Sequence, residues 1–418
     1  MDFFHFLMSD VLSEPSILVG LIALIGLVAQ KKPVTECIKG TVKTIMGFVI
    51  LGAGAGLVVA SLGDFANIFQ HAFGIQGVVP NNEAIVSVAQ KSFGKEMAMI
   101  MFFAMVINIL IARFTPWKFI FLTGHHTLFM SMMVAVILAT AGISGVTLIA
   151  IGSLVVGTAM VFFPAIAHPY MKKVTGSDEV AIGHFSTLSY VLAGFIGSRF
   201  GNKAHSTEDM NVPKSLLFLR DTPVAIAFTM SIIFIITCLF AGPEFVKSIS
   251  GGKNWLMFSI IQSITFAAGV YIILQGVRMV IAEIVPAFKG ISDKLVPNAK
   301  PALDCPIVFP YAPNAVLVGF LSSFVAGIIG MFALYLLNMT VIIPGVVPHF
   351  FVGAAAGVFG NATGGRRGAI LGAFAQGLLI TFLPVFLLPV LGEIGFANTT
   401  FSDADFGALG ILLGIIVR

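Results

Sequence analysis

The chain has 418 residues, of which 58% are apolar and 10% charged, and its mean hydropathy is +1.02. A soluble domain carries about 25% charged residues. One core could not hide this much apolar surface beneath 23 basic and 19 acidic side chains. Soluble enzymes, nucleic-acid binders and disordered scaffolds are thereby excluded, and the lipid bilayer is the solvent this sequence is written for.

In chain order, residues 1–14 hold Asp2, Asp10 and Glu14 but no Lys or Arg, so the basic start of a cleaved signal is missing. The run Ile17 to Ala29, closed by Lys31-Lys32, reads as a signal-anchor and first span. Further apolar runs follow at about 44–62, 97–112, 119–140, 145–167, 223–241, 255–277, 314–337, 341–362, 368–391 and 406–417, which makes about eleven transmembrane helices. With Lys31 and Lys32 in the cytoplasm, alternation places all of the 23 basic residues inside except Lys91, Lys95, Lys247 and Lys253. The expected orientation is therefore N-terminus outside and C-terminus cytoplasmic.

The run Ala181 to Gly197 is flanked by Lys172-Lys173 and by Arg199 and Lys203, and both flanks want the cytoplasm. It reads as a re-entrant hairpin, which membrane depth tolerates only inside protein or along a wet cavity. Two long interrupted segments, 63–95 with Asn81-Asn82-Glu83 and 278–313 with Asp304, are each followed by three closely joined spans, with Pro116 and Pro344 at corresponding corners. Residues 392–405 offer an external counterpart to the hairpin. The expected architecture is one all-α polytopic membrane domain, 1–418. It has inverted repeats at about 15–200 and 221–405, five spans each, and a final span at 406–418.

Ionisable groups at membrane depth are costly and mark function. Thr123-Gly124-His125-His126-Thr127, Gly183-His184-Phe185-Ser186-Thr187, Asn81-Asn82-Glu83 and Asp304 with Asn314 are the clusters of this kind. Their donors and acceptors suit a polyhydroxylated or acidic sugar-like substrate. Each has a plainer alternative: helix packing for a lone His, a solvated loop for Glu83, a helix cap for Asp304. Gly52-Ala53-Gly54-Ala55-Gly56 reads first as close helix packing, though a thinned helix also lets a substrate touch backbone. Arg278 and Glu283 are placed near the cytoplasmic face. The three cysteines, Cys37, Cys238 and Cys305, have neither disulfide nor zinc spacing and read as inert thiols. No GxxxxGK[ST] and no HExxH occurs. No cofactor or metal is expected, and any energy source is an ion gradient or a separate protein.

Several blocks resemble one family over nearly the whole chain. They are Lys39-Gly40-Thr41, Lys43-Thr44, Gly47-Phe48, Leu122-Thr123-Gly124-His125, Ile182-Gly183-His184, Gln275-Gly276-Val277-Arg278-Met279, Ala282-Glu283, Gly290-Ile291-Ser292, Leu303-Asp304-Cys305 and Ala312-Pro313-Asn314-Ala315-Val316. They are similar to the membrane (C) component of the ascorbate-type phosphoenolpyruvate-dependent sugar phosphotransferase system. The resemblance implies an inner-membrane homodimer whose core domain carries substrate, elevator-like, against a dimerisation scaffold. It also implies that phosphate comes from a cysteine of the separate cytoplasmic B component, so that the chain is the permease subunit of a phosphotransferase. Carried over by position, the substrate site is Gly54, Ala55, Asn82, Glu83, His125, His184 and Asp304, with Asp304 and His184 able to take the attacking hydroxyl's proton. Ala55 replaces the family's Ser, and Phe185-Ser186-Thr187 replaces its glutamines after Gly183-His184. A proton-coupled secondary transporter using Glu83, His125 and Asp304 is the alternative, and a passive channel a third.

Overall fold

The computed structural model describes residues 15–74, 77–210, 214–392 and 399–417. Part of the expected 392–405 counterpart and the acidic N-terminal stretch lie outside these residues. The side chains of Ala55, Lys91 and Glu283 do so as well.

The helices are α1 (Pro15–Ala29), α2 (Val34–Phe73), α3 (Asn82–Phe114), α4 (Gly124–Thr140), α5 (Gly145–Thr175) and α6 (Thr187–Phe200) in the first half of the chain. The second half contributes α7 (Thr222–Ala241), α8 (Pro243–Ile249), α9 (Trp255–Leu295), α10 (Pro313–Leu336), α11 (Val346–Leu391) and α12 (Ala404–Val417). Every apolar run lies largely on a helix, though those at 119–140 and 341–362 begin on short strands. Among the described residues, seven helices are long and apolar enough to cross a membrane: α2, Ser92–Phe114 of α3, α5, Pro223–Ala241, Trp255–Ile272, α10 and α11. The helices α4 and α12 are shorter, with 17 and 14 residues. Runs 341–362 and 368–391 share one helix, α11, which breaks at Gly364 (φ −150°) and Gly365 (φ 60°). Only glycine fits that break. A side chain on Gly365 would meet the carbonyls of Asn202 and His205 at 2.3 Å. The chain is a multi-pass membrane protein.

What the apolar pattern does not announce is, among the described residues, six short strands: β1 (Gly77–Pro80), β2 (Phe119–Phe121), β3 (Ala181–Ile182), β4 (Lys300–Leu303), β5 (Val341–Ile342) and β6 (Thr399–Thr400). They form two parallel three-stranded sheets in the orders β5-β1-β6 and β2-β4-β3. In the first, Gly77 and Val78 pair with Val341 and Ile342, and Val79 and Pro80 with Thr399 and Thr400. In the second, Phe119 to Phe121 pair with Lys300 to Ala302, and Ala181 and Ile182 with Ala302 and Leu303. Extended backbone in an apolar setting must have its polar groups paired. The strands pair with each other, and beside β2 the buried Asn108 donates to Phe119 O (3.0 Å) and accepts from Phe121 N (3.0 Å). The segment 181–197, expected as a hairpin, is β3, a turn and most of α6.

Packing falls into two groups. Helices α1, α2, α7 and α9 pack chiefly on one another, while α3 to α6 pack with each other and with α10 to α12. On the second group, Asp178 in the turn after α5 is gripped by Lys172 (2.6 Å), Lys300 (2.8 Å) and His168 (2.7 Å), tying α5 to the start of β4. Hydrogen bonds from the two lysines, and from the His168 ring, hold the Asp178 carboxyl well below the usual carboxylate range.

Candidate substrate site

Each strand is followed by a switch into helix, and these switches carry the polar residues. Asn81, after β1, caps α3 by accepting from Ala84 N (2.7 Å), which leaves Asn82 and Glu83 in its first turn. Asp304, after β4, caps a short 3₁₀ helix by accepting from Cys305 N (2.7 Å). Such caps are the usual solution for the unpaired N–H groups of a helix start. Gly183 continues β3 so close to β4 that a Cβ there would stand 2.4 Å from Ala302 O. That contact turns the chain so that His184 follows at once.

The six switches converge on one cavity of about 250 Å³. Asn82 and Glu83 come from the end of β1, His125 and His126 from β2, and His184 from β3. Asp304, Cys305 and Pro306 come from β4, Val347 and Pro348 from β5, and Ser402 and Asp403 from β6. Phe129, Phe351 and Val352 complete the wall from α4 and α11, and Arg278 alone comes from α9. A volume of this size, mostly apolar with a few converging polar groups, suits a small metabolite.

Asp304 stands between two histidines. Its Oδ2 lies 3.5 Å from His125 Nε2, and its Oδ1 lies 3.9 Å from His184 Nε2. The buried Tyr190 hydroxyl meets His184 Nδ1 at 3.0 Å and fixes the ring. His126 Nδ1 accepts from Phe185 N (3.3 Å), so in the neutral ring the proton sits on Nε2. Beside them Asp403 Oδ2 accepts from Asn82 Nδ2 (2.7 Å), Asn82 Oδ1 accepts from Ser402 N (2.9 Å), and the Asp403 carboxylate comes within 4.8 Å of ring nitrogens of both His126 and His184. Below the cavity Asp405, wholly buried, receives Thr187 N (2.8 Å), the Thr187 hydroxyl and Leu188 N (2.9 Å), and gives its own N–H to Phe185 O (3.1 Å). Asp405 therefore clamps both sides of the His184 turn.

Of the residues expected from sequence, Asn82, Glu83, His125, His184 and Asp304 meet in this cavity. Gly54 does not line it. Its carbonyl lies 3.0 Å from the Cβ position of Gly269, in the close contact of α2 with α9. Asn314 is also elsewhere, its backbone N donating to the Glu208 carboxylate (3.0 Å). Arg278, expected at the cytoplasmic face, lines the cavity. His126 belonged to the expected cluster Thr123–Thr127 and Cys305 was read as an inert thiol, neither with a place in the substrate site, while Phe129, Ser402 and Asp403 were not singled out. Ser402-Asp403-Ala404-Asp405, two carboxylates at the head of an apolar run, carried the signal, and starting the last helix at 404 exposes it. Groups of His, Asp and Cys here, such as His184, Asp304 and Cys305, lie within 4.8 Å of one another.

A family described as the sugar-specific permease component of the phosphotransferase system matches residues 10–405. The ascorbate-specific EIIC component of that system in Mycoplasma pneumoniae is 28% identical over 466 aligned positions, which cover 96% of this chain and 68% of that protein.

Proposed function

Since this chain belongs to the sugar-specific permease components of the phosphotransferase system, we propose that it takes up ascorbate, or a similar acidic sugar-like compound, for phosphorylation by a cytoplasmic B component. The observation that carries this reading is the cavity at the six strand ends, in which Asp304 stands between His125 and His184. A substrate hydroxyl lying between these groups attacks the phosphorus carried on the partner's cysteine. The S–P bond breaks, the sulfur leaves as thiolate, and the hydroxyl proton passes to Asp304 or His184. The added charge makes the product a poor ligand beside Glu83, Asp304 and Asp403.

Inverted repeats are supported by the interlocked sheets. The central strand of each comes from one half of the chain and its two neighbours from the other. Within this reading α12 is the counterpart of α6, with the same length of 14 residues and the same place after a flanking strand. Both are too short to span, at roughly 21 Å, and act as re-entrant half-helices. The two packing groups support a division into scaffold (α1, α2, α7, α9) and moving core (α3 to α6, α10 to α12), with the scaffold joining two copies in a homodimer. The meeting of Lys172 and Lys300 around Asp178 favours a common cytoplasmic face for them, and with it an external N-terminus.

The test is binding and uptake by the purified protein. His184→Ala and Asp304→Ala are expected to weaken ascorbate binding, and unchanged affinity in both overturns the site. In vesicles, uptake that needs phosphoenolpyruvate and the B component supports the phosphotransferase reading. Uptake that a protonophore alone abolishes supports proton coupling instead.

A further inference from the structure

Ile182 pairs with Leu303, so the chain leaves β3 and β4 side by side, and the residues that follow emerge together. His184, Asp304 and Cys305 offer the cavity a ring nitrogen, a carboxylate oxygen and a thiol sulfur within 4.8 Å of one another. No sequence spacing announces this trio, because strand pairing assembles it. Each member is fixed from behind. Asp304 Oδ1 lies 3.9 Å from His184 Nε2 and accepts from Cys305 N (2.7 Å), while Oδ2 lies 3.5 Å from His125 Nε2. The Tyr190 hydroxyl meets His184 Nδ1 at 3.0 Å. With the Nδ1 proton on that hydroxyl, the Nε2 lone pair is left facing Asp304, the arrangement that orients a metal-ligating histidine. Cys305 is 1% exposed yet lines the cavity. Ligands of one tetrahedral ion, each at about 2.0–2.3 Å from it, stand about 3.3–3.8 Å apart. A small side-chain rotation therefore closes this trio onto an ion. Glu83, Asp304 and Asp403 outnumber Arg278 in the lining, a balance that favours a cation.

We propose that His184, Asp304 and Cys305 form a binding site for a thiophilic divalent ion of the zinc class, with a fourth position open to the cavity. The mixed N, O and S donors select such an ion over Mg²⁺ and Ca²⁺, which take shells of oxygen. As the ion binds, the Cys305 S–H bond breaks, the sulfur joins the ion as thiolate, and the proton leaves to water. The ion then holds His184 Nε2 and the Asp304 carboxylate, the groups assigned to take the substrate's proton, so it blocks uptake. The metal site goes beyond the substrate reading and does not rest on it.

The experiment titrates the tag-free, full-length purified protein with CoCl₂ as a spectroscopic probe and then displaces it with ZnCl₂. The expected result is a near-ultraviolet thiolate-to-cobalt absorption band that ZnCl₂ removes and that Cys305→Ser lacks. The double variant Cys37→Ser/Cys238→Ser keeps the band, since those thiols lie on α2 and α7. Tyr190→Phe should weaken Zn²⁺ binding about tenfold, the scale of losing a partner that orients a ligand, and His184→Ala should weaken it further. No band in the unsubstituted protein overturns the site, as does a band that survives in Cys305→Ser. Where Cys305→Ser fails to fold, His184→Ala decides, and cobalt affinity equal to that of the unsubstituted protein overturns the site. With ZnCl₂ saturating, ascorbate should bind roughly tenfold or more weakly, and unchanged affinity overturns the blocking role. Failure to bind ascorbate without metal overturns the substrate reading alone, and the cobalt titration still decides the metal site.

Discussion

Asp405 is where a substitution outside the cavity should reach into it. Its carboxylate receives Thr187 N at 2.8 Å and Leu188 N at 2.9 Å, the first donors of α6, in a setting with no exposure at all. Asp405→Ala strands both backbone donors. At about 1–3 kcal/mol for each buried unpaired group, the cost is roughly 2–6 kcal/mol, felt first as opening of the turn 183–187. Asp405→Asn keeps one acceptor oxygen but aims an N–H₂ at a donor, and should lose about half of that. Because 1.4 kcal/mol is about tenfold, hydrogen exchange at Thr187 and Leu188 should speed by at least about thirtyfold in Asp405→Ala and less in Asp405→Asn. The same turn carries His184, so ascorbate affinity should fall in the same order. Exchange at these two amides that stays within about threefold of the unsubstituted protein, in a folded variant, refutes the clamp.

Three other outcomes follow from the same geometry. Tyr190→Phe keeps the ring stacked on Phe359 (centroids 5.2 Å apart) but removes the hydroxyl at His184 Nδ1. Ascorbate affinity should drop about three- to tenfold, with about 1 kcal/mol or less lost in stability, as read by titration beside thermal unfolding. Gly183→Ala puts a methyl 2.4 Å from Ala302 O and must part β3 from β4. A loss of about 1–3 kcal/mol is expected in thermal unfolding, together with weakened binding. Asp178, held below the usual range by Lys172, Lys300 and His168, contributes stability when ionised. That contribution is whole above its ordinary value of about 4 and is lost as pH falls from there toward the depressed one. The melting-point gap between the unsubstituted protein and Asp178→Asn should therefore hold from pH 8 to 5 and shrink below pH 4.

Apolar run length made the helices legible, because a segment such as Trp255 to Val277 has no other stable form in lipid. The cost of burying charge made five of the cavity residues legible before any coordinates, from Asn82 and Glu83 to Asp304. The strands were not legible. Ala181–Ile182 and Thr399–Thr400 are two residues each, too short for any alternation to register. Their pairing with β4 and β1 is a tertiary fact, set by partners more than a hundred positions away. Asp403 and Asp405 were hidden for a related reason. A run read as a full span starts at its first long apolar stretch, and a half-helix starts earlier, at its caps. Gly54 shows the converse, a glycine whose carbonyl meets Gly269 of α9 in a close helix contact and does not line the cavity.

The short strands also explain why the site lies where it does. A helix that crosses the bilayer satisfies its own backbone and exposes no free N–H at depth. A strand that pairs and then stops at mid-membrane must start a helix there, and each such start presents donors that attract acceptors and ligands. Six of these starts meet in one cavity, which is why so many of the chain's scarce membrane-depth carboxylates, Glu83, Asp304, Asp403 and Asp405, stand at helix N-termini. All lining residues except Arg278 belong to α3 to α6, α10 to α12, the junctions between them, or, for Asp304, Cys305 and Pro306, the segment just after β4, which pairs with β2 and β3. If that group moves as the proposed core, the histidines, carboxylates and substrate travel together. The guanidinium of Arg278 stays with α9, so the charge balance of the cavity changes with position while its geometry is kept.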